Sequence, residues 1–393
     1  MIEIKDKSLC CGCEACAQKC PKHCIQMRED ELGFLYPHVE LQSCINCGLC
    51  EKVCPIINQS EEQYPTKVYA CKNIDEKIRL NSSSGGLFTA IATDFIQKRG
   101  IVFGVKFDKD WNVVFSYTTE IEGIKDFQGS KYTQAYVGNA YKQVETFLKG
   151  GKDVLFTGTS CQIAGLKRFL QKDYGNLYTI DFICHGVPNQ KLFKTFIKEE
   201  IWKHSRTSLQ SRNFIKEIKF RSKKLGWKKS SFILRFSKSM NNETEDIVMS
   251  SVFSNTSYGK FFLNDLSLRP SCYNCPAKSG KSCSDLTMAD FWGVQKFYPE
   301  FDDDKGITLA IVNKLKGDTL IPFDKLHYIE PSFEEAFDSN GGYFRSVPFQ
   351  PKKTLFWEYI LSGNDLYVVH KLLFPIPVKT KIKRVIKKLF RIN

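Results

Sequence analysis

Residues 10–21 read CCGCEACAQKCP and residues 44–55 read CINCGLCEKVCP, and the reading of the fold starts from these two runs. Taken as Cys10, Cys13, Cys16 and Cys20, then Cys44, Cys47, Cys50 and Cys54, both have the spacing CxxCxxCxxxCP. Three thiolates on one tight loop can grip three irons of a cubane iron–sulfur cluster, and the fourth cysteine of each run points at the other cube. The spacing therefore predicts a crossed assignment, with Cys10, Cys13, Cys16 and Cys54 on one cluster and Cys44, Cys47, Cys50 and Cys20 on the other. A structural zinc site usually takes paired CxxC units separated by a longer loop, or cysteine with histidine, and the duplicated pattern disfavours it. Cys11 and Cys24 fall off the pattern and receive no ligand role.

Working outward, 393 residues with 42% hydrophobic content leave room for a small cluster domain and a larger globular part. The N-terminus MIEIKDKSLCC is charged and has no apolar signal core, so the cysteines read as thiolates of a reducing cytoplasm rather than disulfides. No apolar run approaches the roughly 20 residues that span a bilayer. The formal charge of +14 suggests nucleic acid until its distribution is examined. Each oxidised cubane with its thiolates carries about −2, and the seven basic residues from Lys379 to Arg391 supply half of the excess. With no nucleic-acid motif in the chain, no nucleic-acid partner is expected.

Residues 55–65, PIINQSEEQYP, read as a linker. Beyond it TKVYACK, IVFGVKF, DWNVVFSYTT, DVLFT and LYTIDFICHG read as strands. Helices over LFTAIATDFIQKRG, AYKQVETFLKGG, IAGLKRFLQKDY and NQKLFKTFIKEEI interleave with them, which predicts an α/β body with a largely parallel sheet. After Ser205 the short β-like pieces IKEIKFRS, SFILRFS and DIVMSS predict a β-rich insertion. The tail KTKIKRVIKKLFRIN places Ile382, Val385, Ile386 and Leu389 on one helical face among basic residues, which suits an anionic membrane surface or a solvated, partner-docking tail.

Three strand ends carry chemistry. The loop SSSGG at 82–86 has the form of an anion cradle at a helix N-terminus, or of a simple cap and turn. GTSCQ at 158–162 has the same placement, and ICHG follows on the next strand. In an open α/β sheet, ligands bind beyond the carboxyl ends of strands, so the convergence of these loops marks one edge as a ligand site. Of the remaining cysteines, Cys272, Cys275 and Cys283 with Cys184 form a candidate third cubane, with Cys161 as the reserve ligand and a zinc knob as the alternative. One-electron centres call for a partner that handles hydrides, and a flavin does both. His185 is then the candidate proton donor or a structural turn histidine, and Cys161 either faces flavin or substrate or packs. Asp181 and Asp290 either orient flavin groups or cap, and Cys71 reads as buried packing.

The ordered set SSSGGLF, GSKY at 129–132, DVLFTGTSCQIAGLKRFL, DFICHGVP, CYNCP and SDLTMADFWG resembles the family of coenzyme F-420 hydrogenase/dehydrogenase beta subunits, in the bacterial form with an N-terminal two-cluster ferredoxin domain. The resemblance covers the chain to about residue 350 and implies an FAD with a cluster beside it. It places Ser83, Ser84, Gly85, Gly86, Lys131, Gly158, Thr159 and Gln162 along the FAD and Cys184, Cys272, Cys275 and Cys283 on the cluster. Ser160 replaces the usual proline of GTPCQ and Ala135 a frequent serine, departures that bear on loop geometry. Bacterial members look like reductases of varied substrates, several associated with surface-polysaccharide synthesis, and the deazaflavin specificity does not carry over. The expected class is α+β: a ferredoxin-like domain at 1–58, an α/β FAD-binding catalytic domain with a β-rich insertion at 66–350, and a helical region with a basic tail at 351–393. The function expected is a cytoplasmic oxidoreductase taking electrons from a donor such as ferredoxin to an organic substrate, as an oligomer or monomer, peripheral to the membrane if the tail binds it. The alternative is an electron-transfer or adaptor subunit of a larger complex.

Overall fold

A computed structural model describes residues 1–205, 214–240 and 243–375. The amphipathic helix expected around Ile382 to Leu389 lies outside the described residues. Between the two cysteine runs, strands β1 (Ile25–Glu29) and β2 (Leu35–Val39) form an antiparallel hairpin with Ile25 opposite Val39. Its turn is closed by Asp30, whose carboxylate accepts the Phe34 amide at 2.9 Å.

The body is built on an eight-stranded sheet of β3 (Lys67–Asn73), β4 (Ile101–Phe107), β5 (Val113–Thr118), β6 (Val154–Thr157), β7 (Leu177–Phe182), β11 (Leu286–Asp290), β12 (Thr308–Val312) and β13 (Leu326–Ile329). The order is β13-β3-β12-β11-β7-β6-β4-β5. Only the run β11-β7-β6-β4 is parallel, and the flanking pairs are antiparallel, so the sheet is mixed where a largely parallel one was expected. At one flank the cause is local. Asp108 accepts the amides of Asp110 and Asn112 at 2.9 and 2.8 Å, closing a turn that folds β5 straight back on β4.

Side-chain alternation along the central strands sorts the two faces. Val102, Leu155 and Ile180 join Leu87, Ile91 and Phe95 of the helix Leu87–Gln97. Phe103, Val154 and Phe156 face Tyr141, Val144 and Leu148 of the helix Ala140–Lys149 and Ile163, Leu166 and Phe169 of the helix Ser160–Leu170. Cys11, Cys13, Ala15 and Val53 belong to that second cluster, so the cysteine loops rest directly on the body.

The expected β-rich insertion is a separate antiparallel sheet of β8 (Phe214–Ser222), β9 (Ser231–Met240) and β10 (Glu243–Val252). Phe220, Phe232, Leu234 and Phe236 pack there with Phe193 and Phe196 of the helix Gln190–Ser205, and with Phe356, Trp357 and Val369 of the C-terminal helices Lys352–Leu361 and Leu366–Leu373. Each such phenylalanine contributes about 1.5–3 kcal/mol by leaving water. Phe34 of the hairpin enters the same cluster. Among the described residues no helix is long and apolar enough to cross a membrane.

Strand directions bring the carboxyl ends of β3, β6, β7 and β11 and the start of β12 to one edge of the sheet. The segment 128–138 runs along it. Ser130 donates its amide to Ser83 Oγ at 2.8 Å, Gln134 its amide to the Pro188 carbonyl at 2.9 Å, and Val137 its amide to Glu14 Oε1 at 2.8 Å. The SSSGG loop, the ICHGVP strand end and a cysteine loop are thereby tied in sequence.

Gly165 shows how close the cysteine loop comes. A Cβ there would stand 2.8 Å from Cys13 Cβ and 3.0 Å from its Sγ. In an open helix, replacing glycine by alanine gains up to about 1 kcal/mol. Gly165→Ala is expected instead to lose about 1–3 kcal/mol through overpacking, read as a lower Tm of the anaerobic protein. A higher Tm would show that the loop does not rest on this helix.

Candidate metal centres and the adjoining sheet edge

Left-handed residues bend both cysteine loops inward. Gly12 and Glu14 have φ of 66° and 60°, Asn46 and Gly48 of 51° and 70°. Glycine adopts this region at little cost, and asparagine tolerates it. The helix Ala15–Lys19 then carries the chain from the first loop to Cys20, which sits at its C-cap before Pro21. As a result Cys20 lines one cavity with Cys44, Cys47 and Cys50, while Cys54 lines another with Cys10, Cys13 and Cys16. These are the crossed groupings.

The donor set fits a cluster. Burial raises the Cys16 thiol, and the charges of Cys10 and Cys54 raise it further. Buried, mutually repelling thiolates need a cationic core between them, which iron supplies. Among the described residues no three His, Cys, Asp or Glu side chains converge as ligands of a single ion. The cysteines stand instead around a volume, the arrangement a cubane gripped at its corners requires. Backbone amides already face two sulfurs, Ile2 N at 3.3 Å from Cys50 Sγ and Asn46 N at 3.4 Å from Cys44 Sγ.

The two off-pattern cysteines also line the cavities. Cys24 Sγ lies 3.4 Å from Cys20 Sγ. Cys11 lines the other cavity and packs in the same apolar cluster as Cys161 of the body. No spacing rule marks such a contact in the sequence.

In the body, Cys184, Cys272 and Cys275 act on one another. Burial pushes the Cys184 thiol up to about 12 and that of Cys275 up to about 11. The charge of Cys161 adds to both. Cys272 is raised by burial and then by Cys184 and Cys275. Gly186, with φ of 146°, lets ICHG approach this group, since a Cβ there would stand 3.3 Å from Cys272 Cβ and only 2.7 Å from Leu268. Cys283 is placed differently. It adopts φ of 57°, and its thiol is met by Gln63 Nε2 at 3.5 Å.

His185 Nε2 lies 2.7 Å from Asp265 Oδ1, with its ring centroid 5.0 Å from that of Phe262. The imidazole is partly exposed, beside the cysteine group and with a carboxylate behind it. The serine loop is internally engaged. Ser83 Oγ accepts from the Ser130 amide and hydroxyl at 2.8 and 3.0 Å, and Ser84 donates to the Ile307 carbonyl at 2.8 Å. Gly85 is required by the sheet, because its Cβ would stand 2.2 Å from the Cys71 carbonyl. Gly86, at φ of 88°, turns the chain into the following helix.

Lys131 donates to the carbonyls of Gln128, Asp126 and Gly129 at 3.1–3.3 Å, and burial pushes its ammonium down to about 8. Beyond Gly158, Thr159 and Gln162 form a capping box, with Thr159 N 3.0 Å from Gln162 Oε1. Asp181 points inward, accepting from Ser284 and Thr287 at 2.9 and 2.5 Å, and burial raises its carboxyl. Asp290 pairs with Arg221 and accepts from Trp227 Nε1 at 3.1 Å; Trp227 stacks on Trp292 at 4.7 Å. Arg221 and both tryptophans reach this edge without any motif to announce them. Cys71 is fully buried in β3.

A chain with two cysteine-lined cavities seated on a mixed α/β sheet is an iron–sulfur protein of two-cluster type joined to a larger body. Residues 9–56 match the family of the 4Fe-4S dicluster domain, and residues 151–329 match the family of the C terminus of the coenzyme F420 hydrogenase/dehydrogenase beta subunit. The chain thus joins a 4Fe-4S dicluster domain at residues 9–56 to a C-terminal domain of the coenzyme F420 hydrogenase/dehydrogenase beta-subunit family at residues 151–329.

Among curated relatives it is 24% identical over 217 residues to a subunit of the F(420)H(2) dehydrogenase of Methanosarcina mazei, a match covering 51% of this chain and 62% of that protein. It is 33% identical over 87 residues to a ferredoxin of Mycolicibacterium smegmatis, covering 21% of this chain and 71% of the ferredoxin. A chain of the F420-reducing NiFe hydrogenase complex from Methanosarcina barkeri aligns with a TM-score of 0.44 at 15% identity, over 71% of this chain and 91% of that one.

The crossing can be read by EPR. Cys13→Ala and Cys54→Ala are expected to abolish the same cluster signal, and Cys20→Ala and Cys47→Ala the other. Loss of one shared signal in Cys13→Ala and Cys20→Ala would contradict the grouping.

Proposed function

We propose that this protein is an oxidoreductase that takes electrons from a ferredoxin-class donor through three cubane clusters to an FAD at the sheet edge, and from there to an organic substrate. The observation that carries the reading is the packing of Cys11 and Cys161 in one apolar cluster, which seats the cavity of Cys10, Cys13, Cys16 and Cys54 against the GTSCQ loop of the body. Electron transfer needs such proximity, and a loosely tethered cluster domain does not require it.

In this reading the N-terminal cysteines hold two clusters in the crossed sets. Cys184, Cys272, Cys275 and Cys283 hold the third, with Cys161 as the reserve ligand.

FAD, when bound, couples single-electron arrivals to hydride transfer. Ser83, Ser84, Gly85, Gly86 and Lys131 would approach it from one end of the edge, and Gly158, Thr159 and Gln162 from the other. About four strand spacings, near 19 Å, separate β3 from β6, a span suited to an extended dinucleotide. Gly85, Thr159, Gln162 and Asp181 would act by fixing loop shape, since their polar groups and close contacts are already engaged. His185 would hold and release the proton at its ring, with Asp265 orienting the imidazole. Asp290 would hold Arg221 and Trp227 in place beside the serine loop.

The buried thiols suit the reducing cytoplasm. The substrate belongs to none of the named relatives by necessity, and reduction within surface-polysaccharide synthesis is one place such chemistry fits. A second reading, a subunit whose substrate chemistry belongs to a partner, is favoured by the name of the M. mazei relative, a dehydrogenase subunit.

Anaerobic purification of the full chain with iron, zinc and flavin quantified together tests the proposal. The expected result is about twelve irons, no zinc and one FAD per chain. Zinc with about eight irons would remove the third cluster. Absence of FAD would leave the subunit reading.

A further inference from the structure

Arg269 stands three residues before Cys272 in LRPSC and is 0% exposed. A buried guanidinium demands acceptors for all its donors and a counter-charge nearby. Each of its three nitrogens has an acceptor. Nε donates to the Cys10 carbonyl at 2.7 Å, Nη1 to Gln134 Oε1 at 3.0 Å, and Nη2 to the Leu35 carbonyl at 2.8 Å, with Cys10 Sγ at 3.6 Å from Nη2. The Tyr36 ring lies 4.4 Å and the Phe34 ring 5.6 Å from its Cζ.

None of these partners is a carboxylate. Glu14 has both oxygens committed to the amides of Val137 and Gly138, at 2.8 and 2.9 Å. The charges that bear most on Arg269 are those of Cys10, then Tyr36, Cys11 and Cys272. The thiols of Cys10 and Cys11 line the first cavity, and that of Cys272 belongs to the body group. The backbone makes the same bridge. Arg269 donates its amide to the Val187 carbonyl of ICHGV at 2.9 Å, and its own carbonyl accepts the Cys272 amide at 2.9 Å. Gly12 leaves the space the guanidinium occupies, since a Cβ there would stand 2.7 Å from Nη1.

We propose that Arg269 is the fixed counter-cation of the cluster in the Cys10, Cys13, Cys16 and Cys54 cavity, raising its reduction potential and fixing the point at which electrons cross into the body. The inference rests on the cluster reading given above. Reduction adds one electron from the ferredoxin-class donor to a cluster whose oxidised charge with four thiolates is about −2, and no bond forms or breaks. A positive charge against one ligand sulfur stabilises the more negative, reduced form, and a hydrogen bond to that sulfur acts in the same direction. Arg269 is a positioning residue here, acting through Cys10 and through the Cys272 turn.

The test uses the full chain, purified anaerobically as wild type, Arg269→Lys and Arg269→Gln, with iron content measured and an EPR-monitored redox titration run on each. Arg269→Gln is expected to move one cluster potential to a more negative value and leave the others unmoved, with Arg269→Lys nearer to wild type. If Arg269→Gln loses about four irons while Arg269→Lys keeps them, the requirement for charge is likewise upheld. Potentials identical in all three proteins, or loss of iron from both variants, overturns it. Wild-type protein that binds no iron would instead sink the cluster reading itself.

Discussion

The structure turns on one packed contact, the seating of the Cys10–Cys16 loop on the body. The loop must present thiols inward to a cavity and its backbone outward to the sheet edge. Arg269 and Gln134 take its carbonyls, Glu14 takes the amides of Val137 and Gly138, and Gln18 takes that of Tyr141 at 3.0 Å. A ferredoxin-like unit held this way has a set orientation, because each bond joins groups that would be costly to bury alone. Gly165 and Gly12 are the steric side of the same arrangement.

From that contact the order of centres follows. The cavity with Cys44, Cys47 and Cys50 is the outer one, and its Cys47 is exposed. The cavity with Cys10, Cys13 and Cys16 is the inner one, against Cys161. The cysteine group of the body stands next, with His185 beside it and the serine loop further along the same edge. The mixed sheet supports this line by gathering loops from β3, β6, β7 and β11 at one edge, although half its strands lie outside the parallel run.

Much of this was legible in the chain. The CxxCxxCxxxCP runs announced which cysteines line each cavity, because spacing decides which thiols can share a tight loop. GTSCQ and ICHG announced strand ends that lie at one edge of the sheet, because strands alternating with helices run parallel there. Three things were not legible. The antiparallel flanks depend on turns such as Asp108–Asn112, whose local hydrogen bonds carry no long-range pattern. The left-handed turn at Cys283, which sets its thiol beside Gln63, carries no sequence signature either. No motif singles out Arg269, and its contacts with the Cys10 loop appear only when residues more than two hundred positions apart are brought together. The glycines of SSSGG carried a signal whose physical content differs from a simple cradle, for Gly85 serves the close approach of β3.

The central claim is that electrons entering at the N-terminal clusters reach a flavin in the body of the same chain. Anaerobic rapid mixing of the full-length holo-protein with reduced ferredoxin, following cluster and flavin absorbance together, tests it most directly. The account predicts that the clusters bleach first and the flavin follows. Clusters that bleach while a bound flavin stays oxidised, or a flavin reduced with no change in the clusters, would contradict it.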